Sequence, residues 1–343
     1  MDTVTLVQFN MNQAYGLDNF LFPDSPRYLD RIIDALNNLP KPRVVGLNEV
    51  AARERKSRKN LADIIRREAG FLHGPYASNY HIPHWFDVGN ALYSDLPLDD
   101  VMTGQLQGGY VWGRMHNRLF GPRTFILAKV RHQHGSFYAI VSHLGVEDKP
   151  HKFASARLLS RIASRINGPA VLLTDANAIP LYSVKRKNFN DGDITHENYV
   201  RCRTLQFLQL GFPQDLCPVS CYGTHPVNDT RYRTFRENRR IDYLLGKNLP
   251  KSLDYYVLPQ LLSDHGMTVC TIPLLPCEAE RKDVSDLVRP PRTTWPAHVV
   301  QAIHAVQEVP AVARTAANGA YAIGRRYLTE PIKKISRRLK TII

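Results

Sequence analysis

Short apolar runs alternate with amphipathic stretches along most of the chain, which is the pattern of an α/β protein. Each apolar run is short enough to be a single strand and is separated from the next by polar or helix-forming residues. We therefore predict strands at residues 4–9, 43–47, 90–94, 124–130, 137–142, 170–174, 241–246 and 266–272.

Helices are predicted between these strands from start and stop signals. The first opens after Ser25 with Pro26 in its first turn, a favourable position for proline. The other candidates each end on a glycine, which is common just past a helix C-terminus. They span residues 59–70, 153–168 and 198–211.

The pattern changes after Ile272, where prolines cluster and the strand rhythm stops. We predict a folded domain at 1–275, a proline-rich linker at 276–296 and a basic helical tail at 297–343. In the tail, apolar residues fall on one helix face: Leu328, Ile332, Ile335, Leu339 and Ile342. Such a helix suits an anionic membrane surface, packing on the folded domain or another copy of the chain, or nucleic acid.

Charge and cysteine content indicate the kind of binding partner and the cellular compartment. The chain of 343 residues carries a net charge of +14, and the basic excess is concentrated from Arg281 onward. This balance favours an anionic partner, either nucleic acid or an acidic membrane surface. Five cysteines without a CxxC pair argue against a disulfide framework or a zinc site, which favours a reduced, cytoplasmic setting, peripheral to a membrane if the tail binds one.

Polar residues with reactive side chains interrupt the predicted strand ends, where α/β proteins gather functional groups. Asn10 closes the first strand, Glu49 closes the second and Asn90 begins the third. Others lie at or near the ends of later strands: His143, Asp175, Asn177, Asp242, Asp264 and His265. This succession of Asn, Glu, Asp and His at strand ends indicates a functional site.

The order of these motifs is specific: LNEV, SHL, TDAN, RIDYLL and SDHGMTV follow one another along the chain. Over about residues 3–273 the sequence resembles the endonuclease/exonuclease/phosphatase superfamily, the metal-dependent phosphoesterases related to pancreatic deoxyribonuclease. The family's usual GDxN motif is present as TDAN, with Thr174 in place of the glycine. The resemblance implies a four-layer α/β sandwich, two packed mixed β-sheets flanked by helices, here with a C-terminal helical extension.

The resemblance also implies a divalent metal, Mg²⁺ with Mn²⁺ as an alternative. Magnesium takes few carboxylates and keeps several waters, so Glu49 with Asn10 is an adequate anchor. In the resemblance, Asp264 lies close to this region, with a second ion as one role for it.

Catalytic roles follow from the same resemblance. Asp242 would fix the imidazole of His265, so that its other nitrogen takes a proton from water. Asp175 would orient that water, and whether Asp175 or His265 is the base stays open because such groups titrate together. His143 would bind the phosphate or assist the leaving oxygen, and Asn177 would donate to a phosphate oxygen.

Two further residues are candidates for phosphate binding. Asn90 is expected to support the His143 side of the pocket, with capping of a turn as the alternative. Arg240 ends a segment rich in arginine and aromatic residues, 230–240, which suits phosphates and bases. The alternative for Arg240 is support of the neighbouring strand that carries Asp242.

The sequence indicates the reaction more clearly than it indicates the substrate. The total charge and the segment 230–240 favour a nuclease acting on nucleic acid. The SHL motif and the basic tail favour a phospholipid phosphoesterase of the sphingomyelinase type, or an inositol-phosphate phosphoesterase. A catalytically silent binding module fits least well, because each expected catalytic position is occupied.

Overall fold

The computed structural model describes the chain within its first compact unit, Met1–Arg292. The described residues are 2–14, 28–53, 59–82, 86–106, 123–145, 149–178, 203–217, 240–258, 262–263, 265–274 and 276–288. The predicted basic tail at 297–343 lies outside them, as does Asp264. Within these ranges, no helix is long and apolar enough to cross a membrane.

Strands alternate with four helices through the described ranges. The helices are α1 (Leu29–Asn37), α2 (Leu61–Glu68), α3 (Lys149–Ser164) and α4 (Thr204–Gln209). The strands are β1 (Thr3–Asn10), β2 (Arg43–Arg53), β3 (Tyr76–Ile82), β4 (Phe86–Ser94), β5 (Leu98–Gln105), β6 (Thr124–His132), β7 (Gly135–His143), β8 (Ile166–Asn167), β9 (Ala170–Asp175), β10 (Gln214–Asp215), β11 (Asp242–Lys247), β12 (Asp254–Leu258), β13 (Met267–Pro273) and β14 (Glu280–Arg281).

Two six-stranded sheets form the centre of the molecule. The first has the order β12-β13-β1-β2-β4-β3 and the second has the order β10-β11-β9-β7-β6-β5. Each sheet is mixed, because β1 pairs with β2 and β7 pairs with β9 in parallel while the other neighbours are antiparallel. This confirms the predicted pair of mixed sheets.

The packing of these sheets produces four layers. Apolar residues of both inner faces form one core, which includes Leu6 and Val44 from the first sheet and Val141 and Leu173 from the second. A second core joins α1 and α2 to the outer face of the first sheet, and a third joins α3 and α4 to the outer face of the second. A side chain at Gly46 would place its Cβ 2.7 Å from the Cβ of Leu173, so a glycine is needed where the sheets approach.

All eight predicted strands are present, and the ones that were missed lie mainly at sheet edges. Strands β7 and β9 are buried at every position and therefore appear in the sequence as continuous apolar runs. By contrast, β3, β5 and β12 are edge strands. Residues of β5 and β12 are partly exposed, so those strands lack the apolar run on which the prediction relied.

Helix ends follow the predicted signals in part. At α2, the Asn60 side chain accepts a hydrogen bond from the backbone N–H of Asp63 at 3.0 Å, and Gly70 has a φ of +71° just past the helix end. At α3 the prediction was wrong, since the helix ends at Ser164 rather than at Gly168. Lys247 caps its end by donating from Nζ to carbonyl oxygens of the final turn and of β8.

The segment predicted as a linker begins as part of the folded unit. Residues 276–288, here called the strap, include β14, which pairs with β8. The backbone N–H of Ser136 donates to the carbonyl oxygen of Cys277 at 2.9 Å, and Val284 is fully buried. The predicted boundary at residue 275 is therefore too early, because clustered prolines and charges conceal a segment that packs on the second sheet.

Candidate active site

Three site residues come from adjacent strands of the second sheet. The register places His143 beside Asp175 in the parallel β7–β9 pair, and Asp175 beside Asp242 in the antiparallel β9–β11 pair. Register partners on neighbouring strands project to the same face, so these side chains form a row. All three are at most 1% exposed, although each carries a polar or charged group. Buried polar groups at strand ends require specific partners.

The first sheet completes the cluster from the other side. Asn10 ends β1, and its Nδ2 donates across the sheets to Oδ2 of Asp175 at 3.0 Å. His265 lies two residues before β13, the antiparallel neighbour of β1, and its backbone N–H donates to Oγ of Ser263. Ser263 in turn donates to the carbonyl oxygen of Asn10 at 2.8 Å. These bonds fix Asn10 and His265 together at one end of the sandwich.

The imidazole of His265 is oriented by a carboxylate. Its Nδ1 lies 2.8 Å from Oδ2 of Asp242, and its Nε2 lies 4.0 Å from Oδ2 of Asp175. Because a carboxylate accepts hydrogen bonds, Nδ1 carries a proton, and Nε2 is then the basic nitrogen of the neutral imidazole. The structure thus leaves Nε2 of His265, facing Asp175, as a proton acceptor.

Asp175 is held in a strongly anionic environment. Burial, followed by the charge of Asp242, raises the pKa of the Asp175 carboxyl to about 7, against the opposing effect of His265. Its Oδ1 accepts from the backbone N–H of Asn177 at 2.9 Å, and Asn177 has a φ of 45°. Asparagine adopts this left-handed conformation more readily than most other non-glycine residues. In this conformation, Nδ2 of Asn177 donates to the carbonyl oxygen of Leu144 at 2.8 Å.

His143 is buried, and both of its ring nitrogens have polar neighbours. Burial, followed by the positive charge of Arg123, lowers its pKa well below the usual value. Arg123 Nη1 lies 2.9 Å from Nδ1, while Nε2 lies 3.1 Å from Nδ2 of Asn177 and 3.3 Å from Oδ2 of Asp175. Arg123 was missed by sequence reasoning, although it stands directly before the predicted strand at 124–130.

Glu49 occupies a bulge rather than a strand end. Strand β2 continues to Arg53, and the register with β4 shifts between Leu47 and Val50. Glu49 itself has a φ of 54°, so the bulge turns its side chain away from regular pairing. The carboxylate is about a quarter exposed, with Oε1 3.9 Å from Nδ1 of His143. Glu49 is therefore a partly solvated carboxylate beside the buried cluster.

Asn90 has an internal role in place of the predicted phosphate contact. It lies within β4 rather than at its start and is fully buried. Its oxygen accepts from Asn48, and its Nδ2 donates to the carbonyl oxygen of Thr124 at 2.8 Å. The Asn90 amide therefore links the first sheet, through Asn48, to the second sheet, through Thr124.

Arg240 is likewise used within the protein. Both of its terminal nitrogens donate to the carboxylate of Asp215, at 2.7 and 2.9 Å, and the guanidinium lies over the ring of Tyr243. With 6% exposure, its charge is neutralised by Asp215 next to the strand that carries Asp242. This corrects the predicted phosphate contact. The rest of the arginine-rich segment, 230–239, lies outside the described residues.

The sequence matches the model of the Endonuclease/Exonuclease/phosphatase family over residues 7–265, which is most of the chain. The chain belongs to this family. Its members hydrolyse phosphoester bonds, and this chain is an enzyme of that class. Among curated proteins, none matches the sequence.

Solved structures of the endonuclease/exonuclease/phosphatase family share the fold. One from Beutenbergia cavernae DSM 12333 has a TM-score of 0.57 at 16% identity, covering 79% of this chain and 72% of its own. The human Nocturnin catalytic domain with bound sulfate has a TM-score of 0.53 at 16% identity, covering 80% and 95%. TDP2 from D. rerio, complexed with a single strand DNA product, has a TM-score of 0.52 at 12% identity, covering 80% and 100%.

The endonuclease/exonuclease/phosphatase family depends on divalent metal ions, and the donors in this site fit one. Asp175, Asp242 and His265 bring carboxylate and imidazole atoms within 4.8 Å of one another, and one atom each of Asp242 and His265 is used in their mutual hydrogen bond. Glu49 and Asn10 add hard oxygen donors on the first sheet, where Asn10 is the register partner of Asn48. Carboxylate and amide oxygens such as those of Glu49 and Asn10 are the hard donors that Mg²⁺ and Mn²⁺ accept.

Proposed function

We propose that the protein is a divalent-metal-dependent phosphodiesterase that acts on nucleic acid, with Mg²⁺ as the physiological ion. The observation that carries this proposal is the pair formed by His265 and Asp242, which leaves Nε2 of His265 facing Asp175 at 4.0 Å. A water molecule between these groups would be within hydrogen-bond reach of both, as general-base catalysis requires.

Each protein group has a defined task in this reaction. Nε2 of His265 takes a proton from water, and the oxygen of that water attacks phosphorus. The bond from phosphorus to the leaving oxygen breaks, and the leaving oxygen takes up a proton from solvent. Asp242 stabilises the imidazolium that forms. Arg123 supplies a positive charge beside His143 for the phosphate oxygens. A divalent ion, held by Glu49 and Asn10, would supply Lewis-acid stabilisation of the phosphate.

Charge supports nucleic acid as the substrate. The net charge of +14 favours a polyanion, since each neutralised phosphate releases counterions. Among the structural neighbours, the D. rerio protein is complexed with a single strand DNA product. These two observations favour a nucleic-acid substrate over a phospholipid or an inositol phosphate.

The test is hydrolysis of a panel with and without Mg²⁺: single- and double-stranded DNA, RNA, sphingomyelin vesicles and inositol phosphates. We expect Mg²⁺-dependent cleavage of a nucleic acid that His265→Ala reduces by about 10²- to 10⁴-fold. His73→Ala is the matched control, because His73 pairs through its backbone with Ser94 at the far end of β4. Affinity for the cleaved nucleic acid should fall steeply with salt.

Two results would contradict the proposal. Cleavage of sphingomyelin or inositol phosphates alone would keep the metal-dependent chemistry but replace the substrate. Cleavage that His265→Ala leaves unchanged would mean that the site lies elsewhere.

A further inference from the structure

Asn48 is a fully buried amide whose hydrogen bonds reach four strands. It lies in β2 directly before Glu49. Its Oδ1 accepts from Nε2 of Gln8 in β1 at 2.6 Å and from the backbone N–H of Asp175 in β9 at 3.2 Å. Its Nδ2 donates to Oδ1 of Asn90 in β4 at 2.8 Å and to the carbonyl oxygen of Ser142 in β7 at 3.1 Å. The oxygen and the nitrogen of this amide therefore each bond to one residue of the first sheet and one of the second.

These partners stand next to the groups of the site. Asp175 is bonded through its own backbone N–H, and Ser142 directly precedes His143. Glu49, which projects from the bulge, is covalently attached to Asn48. One side chain thus connects the backbone segments that carry a carboxylate of the first sheet and two site residues of the second.

The connection continues toward Arg123 through Asn90. The Nδ2 of Asn90 donates to the carbonyl oxygen of Thr124, the residue after Arg123, at 2.8 Å. Asn79 strengthens this part of the network, because its Oδ1 accepts from both the backbone N–H and the hydroxyl of Thr124. Buried networks in which polar groups are mutually bonded are rigid and specify one arrangement.

We propose that Asn48 is a positioning residue, which sets the spacing between Glu49 on the first sheet and Asp175 and His143 on the second. This inference rests on the proposed function, since it assigns Asn48 a role in the same site. Asn48 does not touch the reacting atoms; it acts through the backbone of the residues that do. Glu49 lies in a bulge with a strained backbone, where regular strand pairing is interrupted. Its position therefore depends on the hydrogen bonds that hold Asn48, the residue before it.

Asn48→Asp is the sharpest test, because it keeps the shape and removes both donated hydrogen bonds. Supporting groups around a metal site change metal affinity or activity by about 10- to 100-fold. We expect kcat to fall by that factor with little change in KM, measured well below the melting temperature. Asn38→Asp at the exposed C-cap of α1 is the matched control and should change neither constant.

A double-mutant cycle and a binding titration separate positioning from a merely structural role. In a Glu49→Gln background, Asn48→Asp should cost clearly less in kcat than in the wild type, because the carboxylate that it positions is already gone. Mn²⁺ binding, followed by its paramagnetic resonance signal, should weaken by about 10-fold or more in Asn48→Asp. This readout requires no substrate. Gln8→Leu removes a single bond to Asn48 and should give a smaller loss of the same kind.

The outcomes are distinguishable from failure of the proposed function. If wild type cleaves nucleic acid and both variants lower the melting temperature without changing kcat or Mn²⁺ binding, the positioning role is overturned while the function stands. If Asn48→Asp does not fold, Gln8→Leu decides by the same criteria. If wild type cleaves nothing in the panel, the proposed function fails and the Mn²⁺ titration alone judges Asn48.

Discussion

Nδ1 of His265 lies 2.8 Å from Oδ2 of Asp242, so one edge of the imidazole is committed to a buried carboxylate. The two residues come from different sheets, since Asp242 begins β11 and His265 precedes β13. The pair therefore exists only when the sandwich is assembled. Its consequence is a proton acceptor, Nε2, at a fixed place beside Asp175.

Asp242→Asn should keep the shape of this pair and reverse its chemistry. An amide can donate to Nδ1, which would move the imidazole proton to Nε2 and remove the base. We expect kcat to fall by about 10²- to 10⁴-fold with little change in melting temperature. Asp254→Asn on the exposed end of β12 is the control. An Asp242→Asn enzyme with wild-type kcat would exclude His265 as the base.

Arg123→Gln should impair the reaction by removing a positive charge beside His143. The guanidinium lies 2.9 Å from Nδ1 of His143, so the substitution removes both the charge and this contact. We expect kcat/KM to fall by about 10- to 100-fold, the loss of one strong charge-assisted hydrogen bond. The measurement is steady-state kinetics of Arg123→Gln. The control is Arg67→Gln, because Arg67 is an exposed residue of α2. Equal constants for the two variants would remove Arg123 from the site.

Divalent metal should stabilise the folded protein, and chelation should reverse the effect. A ligand that binds only the native state raises stability by about 2.7 kcal/mol at 100 times its dissociation constant. We expect Mg²⁺ or Mn²⁺ to raise the melting temperature of wild type. Glu49→Gln should shrink that increase, because it replaces a carboxylate in the bulge. An increase of the same size in both proteins would place the ion away from Glu49.

Truncation should show that the strap belongs to the folded unit. A chain ending after Leu274 loses the burial of Val284 and the pairing of β14 with β8. Burial of a valine alone is worth about 2 kcal/mol, so the loss in unfolding free energy should be at least that large. A chain ending after Arg292 keeps the strap and should therefore be more stable than the chain ending after Leu274. Urea unfolding of the two truncated proteins measures this difference. Equal unfolding free energies would contradict the conclusion that the strap is part of the folded unit.

One ion pair of the strap should make stability depend on pH. Partial burial would raise the pKa of Asp100, but hydrogen bonds from Arg281 and Tyr138 outweigh it and lower that pKa. A carboxyl with a lowered folded pKa stabilises the protein above its unfolded value of about 3.9 and loses this contribution as the pH falls through the folded pKa. Asp100→Asn should therefore destabilise the protein at pH 7 and much less at pH 3. Urea midpoints across this range test it, and a constant difference would contradict it.

The family and the pair of sheets were predictable from patterns in the sequence. Buried strands such as β7 and β9 are continuous apolar runs, and residues such as His143 and Asp175 interrupt their ends. Both signals are local in the sequence. A buried strand is apolar along its length, and a polar residue at the end of such a strand can be recognised without knowing its partner in the fold. The order of the motifs then identified the fold.

The hydrogen-bond partners of the buried polar groups depend on how the two sheets pack. Asn10 and Asp175 are 165 residues apart in the chain, and Ser136 and Glu278 are 142 apart, yet each pair is hydrogen-bonded. The same is true of Asn48 and Asp175, 127 residues apart. A periodic pattern records whether a position is buried, but the partner of a buried polar group depends on how the sheets pack. For this reason the internal role of Asn90, the contact of Arg123 with His143 and the place of the strap required the folded molecule.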